Sequence, residues 1–138
     1  MSVNLSAKAL GSNGLVQRVA DVLHDTGFPA GALRLEVTES AAISDADRVR
    51  AVLQDLRALG ARVSLDDFGT GYCSLSYLQQ FPVDTLKIDR SFVARIGGDD
   101  EGEGEIVRLI VSLARTLGLE VVAEGTETQA QVEYLAAL

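Results

Sequence analysis

Cysteine and histidine are nearly absent from this chain, which has one of each, Cys73 and His24. A single cysteine cannot form a disulfide within the chain, and such scarcity is typical of proteins in a reducing compartment. A Cys/His zinc site needs about four ligands, so one chain cannot supply it. A metal site here must therefore use oxygen ligands, which suit Mg²⁺ or Mn²⁺. We expect His24, next to Asp25 in a helical pattern, to lie on the surface.

Long apolar runs and basic clusters are missing as well. No run approaches the ~20 apolar residues of a membrane-spanning helix, and residues 1–5 lack the blocks of a signal peptide. The 12 Lys and Arg residues are outnumbered by 20 Asp and Glu residues, giving a net charge of −8. No basic stripe is available for a nucleic-acid polymer, which does not exclude a small phosphate ligand held through a metal ion. We expect an intracellular, cytoplasmic segment without membrane contact, and a longer protein could be anchored elsewhere.

Short β-type runs alternate with helical stripes along the chain. Its 138 residues, 47% of them apolar, suffice for one ordinary domain. Three apolar stripes at helical spacing predict helices that end before Gly27, Gly60 and Gly118. Ser44 or Asp45 is expected to cap the helix that ends before Gly60. Five runs predict strands at residues 2–6, 32–38, 62–66, 84–89 and 119–124.

The two faces of each predicted strand differ in polarity. In the second strand, for example, Arg34, Glu36 and Thr38 share one face and three aliphatic residues share the other. A doubly wound sheet is covered by helices on both faces and has strands that are apolar throughout. A closed barrel needs only its outer face apolar. We therefore predict an α/β fold, a partial TIM-like (β/α) barrel of about five βα units.

Polar side chains converge at the C-terminal ends of these strands, where barrels hold their functional groups. Asp66 and Asp67 are adjacent, and keeping two neighbouring carboxylates ionised usually requires a cation. Gly69 and Gly71 follow them and permit a tight turn or a mobile loop. One charged strand residue is usually a surface or ion-pair residue, but convergence from five strands predicts a site. The side chains expected in the lumen are Asn4, Glu36, Asp66, Lys87, Asp89 and Glu124.

Five ordered motifs resemble the EAL domain family, and their order and spacing agree over essentially the whole chain. The motifs are Val-Asn-Leu-Ser at 3–6, Glu-Val-Thr-Glu-Ser at 36–40, Asp-Asp-Phe-Gly-Thr-Gly-Tyr at 66–72, Leu-Lys-Ile-Asp-Arg-Ser-Phe at 86–92 and Ala-Glu-Gly-Thr-Glu-Thr at 123–128. The family comprises bacterial phosphodiesterases that hydrolyse the second messenger cyclic di-GMP to linear pGpG with Mg²⁺ or Mn²⁺. The resemblance implies that activity, which controls biofilm formation and motility, and a site with two metal ions.

The resemblance also implies roles for individual residues. Lys87 would orient or activate the attacking water, with Asp67 and Glu124 beside it, although a structural ion pair is the alternative for Lys87. Asp66 would bridge the two ions. The implied metal ligands are Asn4, Glu36, Asp66, Asp67 and Glu124. The implied loop and supporting residues are Glu39, Phe68, Gly69, Gly71, Asp89 and Glu127. Glu39 would hold the loop Phe68–Ser74, and a homodimer is expected through this loop and the helix after it.

The chain departs from the family pattern at its ends. The Glu-Ala-Leu strand, with a metal-binding Glu and a nearby substrate-binding Arg, would precede Ser2, and the last strand would follow Leu138. A whole barrel takes about 250 residues, so residues 1–138 are expected to be an incomplete EAL domain, unstable or inactive alone. Cys73 and Thr126 replace the usual Ser and Val.

Two other functions stay open. A catalytically inactive EAL domain would bind cyclic di-GMP or a protein as a sensor, but such members usually lose site carboxylates or the Asp-Phe-Gly loop. The upstream Glu would distinguish the two. An unrelated Mg²⁺-dependent barrel enzyme would require all five motifs to coincide by chance.

Overall fold

Five parallel β-strands form one sheet in the computed structural model, which describes residues 1–43, 45–70, 78–97 and 104–138. The strands are β1 (Ser2–Leu5), β2 (Arg34–Thr38), β3 (Arg62–Phe68), β4 (Thr85–Ile88) and β5 (Glu120–Ala123). Their order in the sheet is their order in the chain. A doubly wound sheet reverses its strand order at a switch point, so the unbroken order is that of a barrel segment. The five predicted strands are confirmed, with ends shifted by one or two residues.

Helices connect the strands. They are α1 (Ala7–Leu10), α2 (Leu15–Thr26), α3 (Glu39–Ile43), α4 (Ala46–Ala58), α5 (Arg90–Val93), α6 (Glu105–Thr116) and α7 (Gln129–Ala136), with a 3₁₀ turn at Ala30–Ala32. The predicted glycine ends are confirmed, since Gly27, Gly60 and Gly118 have φ values of 65°, 96° and 70°. Asp45 is the N-cap of α4 but makes no side-chain capping bond, and Ser44 lies outside the described residues. In the described ranges, no helix is long and apolar enough to cross a membrane.

The hydrophobic core lies between the outer face of the sheet and the helices that cover it. Alternate residues of the strands supply this face, among them Leu35, Val63 and Leu86, each at most 2% exposed. Leu53 of α4 and Val107 of α6 pack into the same cluster and are fully buried. The opposite face carries the polar side chains, as the alternation predicts.

Arginine side chains meet a glutamate at the N-terminal end of the sheet. Arg34 Nη1 donates to Thr85 Oγ1 at 3.1 Å, and Arg34 Nη2 lies 3.6 Å from Glu120 Oε2. Arg62 Nη1 lies 3.2 Å from Glu120 Oε1. Strands β2 and β5 would be ~14 Å apart in a flat sheet, so this contact indicates that the sheet curves around its polar face. Because Glu120 is 58% exposed, the ion pairs add little stability.

We predict that Leu53→Ala lowers the free energy of unfolding by about 2–5 kcal/mol, because it leaves a cavity at a fully buried site. Leu109→Ala on α6 is the matched control, since Leu109 is 67% exposed and its truncation should change stability by no more than about 0.5 kcal/mol. Urea denaturation measures both. Equal losses for the two variants would contradict this description of the core.

Candidate metal centre

The ammonium group of Lys87 joins three strands on the concave side of the sheet. Lys87 Nζ lies 3.1 Å from Glu36 Oε2 on β2, 3.0 Å from Asp66 Oδ1 on β3, and 2.5 Å from Glu124 Oε1 just after β5. The Lys87 side chain is 10% exposed and that of Glu36 is 12% exposed. The structure therefore brings together four of the side chains that the sequence predicts for the lumen.

The surroundings of Lys87 favour its charged form. Burial disfavours the ammonium ion, but hydrogen bonds to Glu124, Asp66 and Glu36 outweigh this effect and raise the pKa of Lys87 above its usual value. Lysine in this position is a fixed positive charge with donors and no acceptor.

A bulge in β3 turns Asp67 towards Asp66. Leu65 pairs with Leu86 and Phe68 pairs with Ile88, so β3 fits two residues where β4 has one. Asp67 has φ 55°, the only positive φ of a non-glycine residue in the described ranges, and aspartate tolerates this conformation better than most residues. Strict alternation would place the two aspartates on opposite faces. Instead, carboxylate oxygens of Asp66, Asp67 and Glu124 lie within 4.8 Å of one another.

This cluster has more negative than positive charge. Burial, followed by the charges of Asp66, Asp89 and Glu124, raises the pKa of Asp67, and Lys87 opposes the shift. Four carboxylates, at positions 36, 66, 67 and 124, against one ammonium give a formal charge of −3. Closely spaced carboxylate oxygens with surplus negative charge are the donor set of a hard divalent cation. The residues present therefore fit Mg²⁺ or Mn²⁺.

Asn4 lies at the side of the same cluster. Asn4 on β1 lies opposite Glu36 on the neighbouring parallel strand β2. Together with Asp66 and Asp67, these two residues line an open cleft of about 600 Å³. The amide of Asn4 offers an oxygen ligand without adding charge, and the cleft gives a ligand access to the carboxylates.

The predicted supporting residues do not all lie in the cluster. Glu39 is 3% exposed, and its Oε2 accepts a hydrogen bond of 3.2 Å from the Gly69 N–H. Asp89 caps α5 by accepting a 2.9 Å bond from the Ser91 N–H, which lowers the pKa of Asp89. Glu127 is exposed, and its N–H donates to Gln131 Oε1 at the start of α7.

The predicted loop is described only in part. Phe68 is buried at the end of β3, and Gly69 has φ 96°. Thr70 closes a turn by donating from its N–H and its hydroxyl to the carbonyl oxygen of Asp67. Gly71 and the rest of the loop to Ser74 lie outside the described residues. Dimerisation through this loop and the following helix stays a prediction. His24 is exposed, as predicted.

We predict that Asp67→Asn stabilises the metal-free protein at neutral pH. The raised pKa of Asp67 means that its ionised form is less favourable in the folded than in the unfolded chain, and asparagine also tolerates a left-handed φ. The gain should be full above the raised folded pKa and vanish as pH falls below the unfolded value of about 3.9.

Thermal unfolding with a chelator, at neutral pH and at pH values approaching the unfolded pKa, measures this effect. Asp55→Asn serves as the control because Asp55 is exposed on α4, and it should leave the midpoint unchanged. A lower midpoint for Asp67→Asn at neutral pH would contradict the charge surplus described here.

Comparison with known proteins gives one consistent family. The family model described as EAL domain matches residues 1–138. The bifunctional diguanylate cyclase/cyclic di-GMP phosphodiesterase MucR of Pseudomonas aeruginosa is 47% identical over 138 residues, which cover all of this chain and 20% of MucR. The cyclic di-GMP phosphodiesterase NbdA of the same organism is 44% identical over 135 residues, 98% of this chain and 17% of NbdA. The chain thus spans about a fifth of the length of these relatives.

Solved structures agree with this result. The MucR phosphodiesterase in complex with cyclic di-GMP superimposes with a TM-score of 0.91 at 47% identity, covering 99% of this chain and 60% of that one. The manganese and cyclic di-GMP complex of Klebsiella pneumoniae BlrP1 gives a TM-score of 0.88 at 34% identity, covering 99% of this chain and 35% of that one. The fold is a partial TIM-like barrel. From the match over all 138 residues and the shared fold, we conclude that the chain belongs to the EAL domain family.

Proposed function

We propose that the full-length protein hydrolyses cyclic di-GMP to linear pGpG. The observation that carries this proposal is the convergence of Glu36, Asp66 and Glu124 on Lys87, with Asp67 brought to the same side by the bulge in β3. The relatives MucR and NbdA, which are named as cyclic di-GMP phosphodiesterases, support the choice of substrate.

Two divalent cations, Mg²⁺ or Mn²⁺, fit the donor set. Asn4, Glu36 and Asp66 would hold one ion, and Asp66, Asp67 and Glu124 would hold the other, with Asp66 shared. The mutual distances of at most 4.8 Å among the oxygens of the second set support this division. Bound divalent cations supply an activated water at neutral pH and stabilise the charge that develops at phosphorus.

The chain's own residues arrange the reactants. Lys87 donates hydrogen bonds and cannot accept a proton while it is charged, so it acts by orienting oxygen atoms of carboxylates, water or phosphate. Glu124 and Asp67 would accept a hydrogen bond from the attacking water. The dinucleotide would enter through the cleft beside Asn4, which Asp66 and Asp67 also line.

The sensor alternative makes a different prediction. An inactive EAL domain would bind cyclic di-GMP without turnover. Such sensors usually lose site carboxylates, and the four carboxylates at positions 36, 66, 67 and 124 are all present in this chain, which supports the enzyme. Binding without hydrolysis would favour the sensor.

We predict that the full-length protein with Mg²⁺ or Mn²⁺ converts cyclic di-GMP to pGpG, measured by chromatography of the product. Asp66→Ala should reduce product to the level without protein, because Asp66 is the ligand shared between the two ions. Asp55→Ala is the matched control, since it removes an exposed carboxylate on α4, and it should retain the native rate.

If the native protein forms no more pGpG than Asp66→Ala, the proposed phosphodiesterase activity is wrong. Equilibrium binding of cyclic di-GMP in that case would identify the sensor. Loss of activity in Asp55→Ala as well would show that removal of any carboxylate disturbs the protein.

A further inference from the structure

The one-turn helix α5 contacts the turns that follow Asp67 and Glu124. It begins directly after β4, where Asp89 caps it. The turn after β3 contacts it on one side and the turn after β5 on the other. Both contacts involve a glycine in the left-handed region, next to or near a carboxylate of the metal centre.

On the β3 side, Gly69 packs against Phe92 of α5. A Cβ at Gly69 would lie 3.0 Å from Phe92 Cε2 and 3.2 Å from Phe92 Cζ. The N–H of the same residue donates to Glu39 Oε2 at 3.2 Å. The turn to Thr70 is closed on the carbonyl oxygen of Asp67. Gly69 therefore has little freedom to move, and the backbone of Asp67, two residues earlier, shares this constraint.

On the β5 side, Gly125 packs against the first residue of α5. A Cβ at Gly125, which has φ 68°, would lie 2.7 Å from Arg90 Cβ. Real Cβ atoms do not approach so closely, so only glycine fits here without movement of one backbone. Glu124 immediately precedes this contact, and its N–H donates to Ile88 O at 3.1 Å. The course of the chain at Glu124 is thus fixed by β4 and by α5.

We infer that α5 sets the separation of Asp67 and Glu124, with Phe92 and Arg90 as positioning residues that act through Gly69 and Gly125. The inference rests on the proposed function, in which these two carboxylates hold a divalent cation. In this assignment, neither Phe92 nor Arg90 is a ligand of the ion. Each acts by keeping the turn after a carboxylate ligand at van der Waals distance from α5, so that the ligand oxygens stay close enough to share an ion.

The chain offers matched controls for both contacts. Gly118 and Gly97 have left-handed φ values of 70° and 85°, but a Cβ at either position would meet no atom within 4 Å. Gly118→Ala therefore introduces backbone strain similar to that of Gly125→Ala, without the collision with Arg90. Gly97→Ala is the corresponding control for Gly69→Ala.

The test measures Mn²⁺ affinity of the full-length protein by calorimetry, with cyclic di-GMP hydrolysis and circular dichroism in parallel. We expect Gly125→Ala and Gly69→Ala to weaken Mn²⁺ binding by about 10- to 100-fold relative to their controls, as is usual when the support of a ligand is removed. Phe92→Leu should weaken it too. Its effect and that of Gly69→Ala should not add in the double variant, because both disturb one contact.

If Gly125→Ala fails to fold, Arg90→Gly opens the same contact from the α5 side without adding an atom at Gly125, and it should weaken Mn²⁺ binding in the folded protein. If the variants bind Mn²⁺ as tightly as their controls and the native protein hydrolyses cyclic di-GMP, the inference is wrong and the proposed function stands. A native protein that neither binds Mn²⁺ nor hydrolyses the dinucleotide would instead overturn the proposed function, and the positioning role with it.

Discussion

The ammonium group of Lys87 is the contact on which the arrangement of the site depends. Without it, the carboxylates from β2, β3 and the end of β5 would repel each other across the concave side of the metal-free sheet. A single cation that donates to all three holds the strand ends together at distances no uncharged side chain would maintain. The outer core supplies most of the stability, and Lys87 determines what the inner face can hold.

Most strands and helices, and the residues of the inner face, can be predicted from the sequence because they depend on local periodicity. Alternation along β2 assigns Glu36 to the inner face, and the apolar stripe before Gly60 predicts α4 without reference to other parts of the chain. The predicted convergence of Asn4, Glu36, Asp66 and Glu124 follows from parallel strands that share one polar face. These features need only that each strand keep its period.

The main feature that the periodicity of the sequence does not predict depends on pairing between distant segments. The bulge that turns Asp67 arises where β3 pairs with β4, and no alternation within β3 indicates it. Asp89, predicted for the lumen, also caps α5, a helix too short to show an apolar stripe. Its charge still acts on Asp67. An aspartate two residues before Ser91 is a common N-cap arrangement and indicates this second role.

The two ends of the concave face have opposite charge patterns. At the C-terminal end one cation lies among carboxylates, and at the N-terminal end the carboxylate of Glu120 lies between Arg34 and Arg62. The formal charge of these groups is therefore +1 at the N-terminal end and −3 at the C-terminal end. The C-terminal end attracts divalent cations and repels anions. In the proposed reaction, bound cations would turn a surface that repels phosphodiester groups into one that attracts them.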